Sequence, residues 1–210
     1  MEGASTPDCR RRGRPRQFDR DQAIATALTM FKERGYEGTS IAHLTAAIGV
    51  SATSLYGVFP SKEALFEEAV ALYQRTEGAF AAMALDRAKT AFGAVSDLLM
   101  GAAANYTGDD QANGCFVSLG VLSCGVEHRE IAGRMTARRI AARDAIKARL
   151  NRGKDFGELM PTTDTDALSA FYAATLQGMS VQARDGASRY QLEQIARIAL
   201  MPLDSCRTQR

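Results

Sequence analysis

Apolar residues recur along this chain at the 3.6-residue spacing of helices, with no sustained alternation of the kind strands show. Between Gly38 and Phe66, Ile41, Leu44, Ala47 and Ile48 fall on one helical face, and Gly49 offers the left-handed stop that closes a helix. Ser51 is placed to cap a short third helix from Ala52 to about Val58, with Leu55 and Phe59 turned inward. Upstream, Asp19 caps a helix over Arg20 to Arg34 whose inner stripe is Ile24, Ala27, Leu28 and Phe31. Thr39 is the expected cap of the second helix. Ser61 opens a fourth, which buries Leu65, Phe66, Ala69, Val70 and Tyr73 and runs to about Gly78. Two helices flanking a tight glycine-containing turn are a helix-turn-helix.

The rest of the chain keeps the same period. Helices are expected over Arg87 to Tyr106, Glu127 to Arg152, Asp164 to about Arg184, and about Gln191 to Leu200. Thr107 to Gly114 is a loop by composition, and Gly153 to Thr163 a loop or a broken helix. Cys115 to Cys124 is nearly all apolar and small; its length also suits a buried strand, but helical neighbours favour a helix. The expectation is an all-α chain of about nine helices. It divides into a basic arm (1–17), a helix-turn-helix domain (18–62), a larger helical domain (63–202), and a polar tail (203–210).

Composition sharpens this picture in three places. Of 5 prolines, Pro7, Pro15 and Pro202 lie near the ends, which leaves long stretches free to be helical. No stretch reads as a bilayer span and residues 1–18 lack the apolar centre of a signal peptide, so no membrane partner and a cytoplasmic location are expected. The net charge of +2 is uninformative, but Arg10, Arg11, Arg12, Arg14 and Arg16 crowd into the arm. Cys9, Cys115, Cys124 and Cys206 lack the paired spacing of a zinc site, and His43 and His128 stand alone. No phosphate-cradling loop, nucleophile motif, metal site or cofactor signature is present, so no enzyme is expected.

What remains is the chemistry of a nucleic-acid reader. Arg14 and Arg16 are placed to lie along phosphates or enter a minor groove. The second helix offers a hydroxyl and first-turn amides to a phosphate. The third offers small outward residues, whose methyls and hydroxyls suit a major groove. Lys62 projects from the start of the fourth.

The residues GRPRQFD at Gly13 to Asp19, AxxxFxxxGYEGTS at Ala27 to Ser40, IAHLTAAIGVS at Ile41 to Ser51 and SLYGVFPSKEALF at Ser54 to Phe66 resemble the tetracycline-repressor (TetR/AcrR) family of bacterial regulators. The resemblance is close over the first 75 residues or so; beyond them helix number and lengths match, and the Gly114–Cys115 pair resembles one branch of the family. It implies an all-helical homodimer that binds a palindromic double-stranded operator and releases it when a small effector fills a pocket in the larger domain. Thr39, Ser40, Ser51, Thr53, Tyr56 and Lys62 match the family's DNA-contacting positions, Tyr56 and Lys62 at phosphates, while Ala52, Thr53 and Gly57 would face bases. Many relatives have lysine where this chain has Ala52, and an aromatic-histidine pair where it has Gly57 and Val58, so base preference does not carry over.

Phe92, Leu99, Cys115, Phe116, Leu119, Cys124, Phe171 and Thr175 are the candidate pocket residues, and an apolar or aromatic effector suits them. Leu168, Tyr172, Met179, Leu192, Ile195 and Ala199 are candidates for the dimer contact, which the last two helices would form. Alternatives are a thiol-based redox sensor of the same architecture, using Cys115 or Cys124, and a helical ligand-binding protein that does not bind DNA.

Overall fold

The computed structural model describes residues 19–108, 114–121 and 125–208. Among these residues the regular structure is ten α-helices and one 3-10 turn. They are α1 (Arg20–Arg34), α2 (Ile41–Ile48), α3 (Ala52–Tyr56), α4 (Lys62–Arg75), α5 (Ala79–Arg87), α6 (Ala91–Asn105), α7 (Phe116–Leu119), α8 (Arg129–Asp155), α9 (Thr165–Arg184) and α10 (Arg189–Asp204), with the turn at Val126–His128.

Side-chain caps set most of the starts. Asp19, Ser51, Ser61, Thr90, Asp164 and Ser188 each accept a hydrogen bond from a first-turn amide, satisfying donors that a helix leaves open. Gly49 ends α2 in the left-handed conformation, φ 80°. The expected cap of α2 is corrected by one residue. Ser40, not Thr39, accepts from the His43 amide at 3.1 Å, and the Ser40 amide donates back to His43 Nδ1. A histidine thus fills the place that Glu or Gln takes in a capping box.

Two apolar cores follow. The first joins α1 to α4 through Phe31, Tyr36, Leu44, Leu55, Phe59 and Phe66, and takes in Phe116, Val121, Ile131 and Met135 from further along the chain. Burying a side chain such as Phe66 contributes roughly 1.5–3 kcal/mol. The inner face of α4 belongs to this core as far as Tyr73, so the expected boundary at residue 62 falls within it. The second core packs α6 against α8, α9 and α10, with Leu98, Leu150, Tyr172, Met179 and Leu192 at its centre.

Four elements depart from the sequence expectation. The added α5 has no side-chain cap and no buried residue. Of Cys115 to Cys124, residues 122–124 lie outside the described part, and the described residues form only the short α7: the Gly120 carbonyl accepts the Tyr36 amide at 3.2 Å, a bond made outside the helix. α6 begins at Ala91 because Thr90 caps it. Finally, 203–208 is no tail: Leu203 is buried in α10, and the Met160 amide donates to the Cys206 carbonyl at 2.9 Å.

Candidate nucleic-acid interface and effector cavity

α3 is held from below by two side chains. Leu55 and Phe59 are both 2% exposed, and the Arg20 guanidinium lies 5.3 Å from the centre of the Phe59 ring. Ala52, Thr53, Tyr56, Gly57 and Val58 are all exposed. The Ser51 hydroxyl accepts from the Ser54 amide at 3.1 Å and pairs with the Ser54 hydroxyl at 2.9 Å. This surface bears methyls, hydroxyls and one aromatic ring but no carboxylate, which suits a DNA groove flanked by phosphates.

Behind that surface Tyr36 acts as a hub. Its ring is buried against Phe31 and Phe66, its hydroxyl donates to the Glu63 carboxylate, and the His128 ring packs edge-on at 5.0 Å. Lys62 covers the Tyr36 ring at 4.0 Å and donates to the carbonyls of Tyr36 (3.0 Å) and Thr39 (3.2 Å). Two of the three N–H donors of the ammonium are thus given to backbone carbonyls of the turn before α2. Burial chiefly lowers the Lys62 pKa, partly offset by Glu63 and Glu37. The hydrogen bond from Tyr36 chiefly holds the Glu63 carboxyl below its usual range. Burial, then the bond to Glu63, raises the Tyr36 hydroxyl.

A cavity of about 340 Å³ lies among α4, α5, α6, α7, α8 and α9. One part of its wall is aromatic, with Tyr73, Phe80 and Tyr106 beside Cys115. Burial, then the neighbouring Cys115, pushes both tyrosine hydroxyls up. Along α8 the wall is alanine and arginine: Ala141, Ala142 and Ala145 with Arg138, Arg139 and Arg143. A hollow of about 440 Å³ between α1 and α2 is an open surface groove edged by polar side chains such as Gln22, Thr26 and Glu33. The apolar cavity, the less open of the two, is the better match to a small-molecule site.

Residues 23–69 match the family model described as bacterial regulatory proteins, tetR family. The HTH-type transcriptional repressor ComR of Escherichia coli (strain K12) is 34% identical over 186 residues, 88% of this chain and 89% of that protein. The chain belongs to the TetR family. The repressor BdcR of the same organism is 28% identical over 196 residues, covering 93% of each chain. A solved cysteine mutant of the TetR family regulator CifR, complexed with 26-bp double-strand operator DNA, superposes with a TM-score of 0.85. It is 39% identical, covering 90% of this chain and 98% of that one.

In this TetR-family chain the candidate DNA-contacting residues fall into two groups. Ser40, Ser51, Ala52, Thr53, Tyr56 and Gly57 are all exposed. Thr39 is not: it is fully buried, and its hydroxyl donates to the carbonyl of Gly35 at 2.8 Å and lies 3.3 Å from that of Met30. Lys62 sits between the groups, already engaged with the Thr39 carbonyl. Arg14 and Arg16 lie outside the described residues.

Of the candidate pocket residues, Cys115 lines the cavity. Leu99 is buried in the second core, and Phe116 packs edge-on against Phe66 and Tyr73. Leu119 faces Gly114, and Phe92 stacks under Arg207 in a separate hollow. Phe171 is exposed on α9, and the Thr175 hydroxyl donates back to its carbonyl at 2.9 Å. Cys124 lies outside the described residues. Sequence reading missed Tyr73, Phe80, Tyr106 and Arg139 as wall residues; the alanines of α8, small where a packed helix would place larger side chains, were the available signal.

The dimer candidates need a similar correction. Tyr172, Met179, Leu192 and Ala199 are buried within the protomer, with Leu168 and Ile195 packed against them. The outer faces of the same helices carry Phe171, Val181, Ile198 and Met201, all at least 42% exposed.

Among the described residues no group of three His, Cys, Asp or Glu is arranged to hold a metal. Among them, too, no helix is long and apolar enough to cross a membrane.

Proposed function

We propose that this protein is a homodimeric transcriptional repressor that binds a palindromic operator and leaves it when a small apolar or aromatic molecule fills the cavity. The observation that carries the DNA-binding part is the division of residues 52–59 into two buried anchors, Leu55 and Phe59, and an outward face free of carboxylates. ComR, BdcR and the operator-bound CifR mutant support it, since each is named as a TetR-family or HTH-type regulator. Arg14 and Arg16 would add phosphate or minor-groove contacts, and the protein would act in the cytoplasm, where its operator is. Selection of bound fragments from a randomised DNA pool tests the reading. Recovery of a two-fold symmetric sequence is expected; recovery of no enriched sequence would refute it.

Two-fold pairing through α9 and α10 would bury Phe171, Val181, Ile198 and Met201. The same face of α9 exposes Ala167, Ala170, Ala174 and Gly178, which let helices approach closely. Ile198→Glu should convert the dimer to a monomer in light scattering and weaken operator binding; an unchanged dimer would place the contact elsewhere. Cys115 in the cavity wall favours a thiol-sensing version of the same function. If oxidant releases DNA from the wild type but not from Cys115→Ser, that version replaces release by a reversibly bound ligand.

A further inference from the structure

The described wall of the cavity is one-sided in charge: among the described residues it includes Arg138, Arg139 and Arg143 and no Asp or Glu. Two of these cations are already neutralised: Arg138 donates to Glu67 at 2.7 Å, and Arg143 pairs with Asp144 at 3.3 Å. Arg139 differs. It is half-buried, its Nη1 donates to the Val117 carbonyl at 3.2 Å and its Nη2 to the Thr136 hydroxyl at 2.9 Å. Both partners are neutral, and among the described residues no carboxylate lies within ion-pairing distance of Arg139. A guanidinium partly withdrawn from water and left without an anion gains most from a ligand that brings one. The rest of the wall, with Phe80, Leu85, Leu98, Ile146 and Leu176, suits a hydrocarbon or aryl body.

We propose that the effector is a small apolar carboxylate whose anionic group pairs with Arg139. This rests on the effector-cavity reading above. The position of Arg139 also gives such a ligand a way to act. Val117 lies in α7, and the carbonyl of Gly120, just past α7, accepts the Tyr36 amide. Tyr36 in turn is bound through its carbonyl to Lys62, beside Thr39 and the start of α2. A carboxylate that draws the guanidinium into the cavity takes a donor from Val117 and loosens the segment that braces the reading head. The ligand need not push on α4 to be felt at α2.

The test uses the full chain and two matched probe pairs: 3-phenylpropanoate with 3-phenylpropan-1-ol, and octanoate with 1-octanol. Calorimetry reads binding, and fluorescence anisotropy reads release of the selected operator. Each acid should bind the wild type at least about tenfold more tightly than its alcohol, as a charge-assisted hydrogen bond requires. That preference should shrink with added salt. Arg139→Gln keeps a donor for Val117 but removes the charge, and should abolish the preference; Arg139→Lys should retain part of it. Should Arg139→Gln fail to fold, the salt dependence of the acid-alcohol gap in the wild type remains decisive. Equal binding of acids and alcohols, or a preference surviving Arg139→Gln, overturns the inference while leaving the cavity as the effector site. If no probe binds and operator occupancy never changes, this inference and the effector-cavity reading both fall.

Discussion

Thr39→Val separates a structural hydroxyl from a DNA-contacting one. The Thr39 side chain is fully buried, and its hydroxyl donates to the Gly35 carbonyl at 2.8 Å, with the Met30 carbonyl 3.3 Å away. Valine keeps the shape and removes the donor, so a part-buried carbonyl loses its partner at a cost of about 1–3 kcal/mol. For a chain of this size each kcal/mol lowers Tm by about 2–4 °C. Thr39→Ser keeps the donor and deletes one methyl, which costs about 0.8 kcal/mol for the transfer alone. Urea unfolding and thermal melting at one fixed protein concentration are the assays, since the proposed dimerisation would make apparent stability depend on concentration. The expected order of stability is wild type, then Thr39→Ser, then Thr39→Val. A Thr39→Val protein that unfolds like the wild type yet binds operator weakly would refute the reasoning and return the hydroxyl to a phosphate.

Three further outcomes are expected. Lys62→Met removes the donor to two turn carbonyls but keeps the stem over Tyr36, so it should lower unfolding free energy by about 1–3 kcal/mol as well as operator affinity, read by urea titration and anisotropy. Gly57 has a right-handed helical backbone, and an added Cβ would meet nothing nearer than 3.4 Å; Gly57→Ala should raise stability by about 0.4–1 kcal/mol in denaturant titration. Tyr36→Phe should have a pH-dependent cost. Because the folded Glu63 pKa is depressed, its stabilisation is present above the unfolded carboxylate value, about 4.3, and is lost as pH falls through the folded value. The gap between wild type and Tyr36→Phe should therefore be wider at pH 7 than at about pH 3.

The fold was legible where a capping residue marks a helix start and an apolar stripe follows it at the helical period. α1 and α9 begin where Asp19 and Asp164 place them, and their inner stripes follow the period. α5 was not legible, since Phe80, Ala81, Ala84 and Leu85 are only half-buried and no side chain caps them. Thr39 and Ser40 illustrate a second limit: adjacent hydroxyls can both cap, and only the position of the Gly35 carbonyl decides which turns inward. The dimer candidates show a third. Periodicity finds the apolar face of a helix but not whether its own chain or a partner covers it, and Tyr172 and Met179 prove to be covered by their own chain. The cavity was the least legible, because Tyr73, Tyr106 and Arg139 converge from three separate parts of the sequence.

α3 has a consequence for how such a protein changes its target. A helix of five residues has no stability of its own, and here Leu55 and Phe59 supply the anchorage. The exposed positions proposed to meet DNA contribute almost nothing to that anchorage. Ala52, Thr53, Tyr56 and Gly57 can therefore be exchanged in succession, and a lineage can drift from one operator to another without passing through an unfolded intermediate.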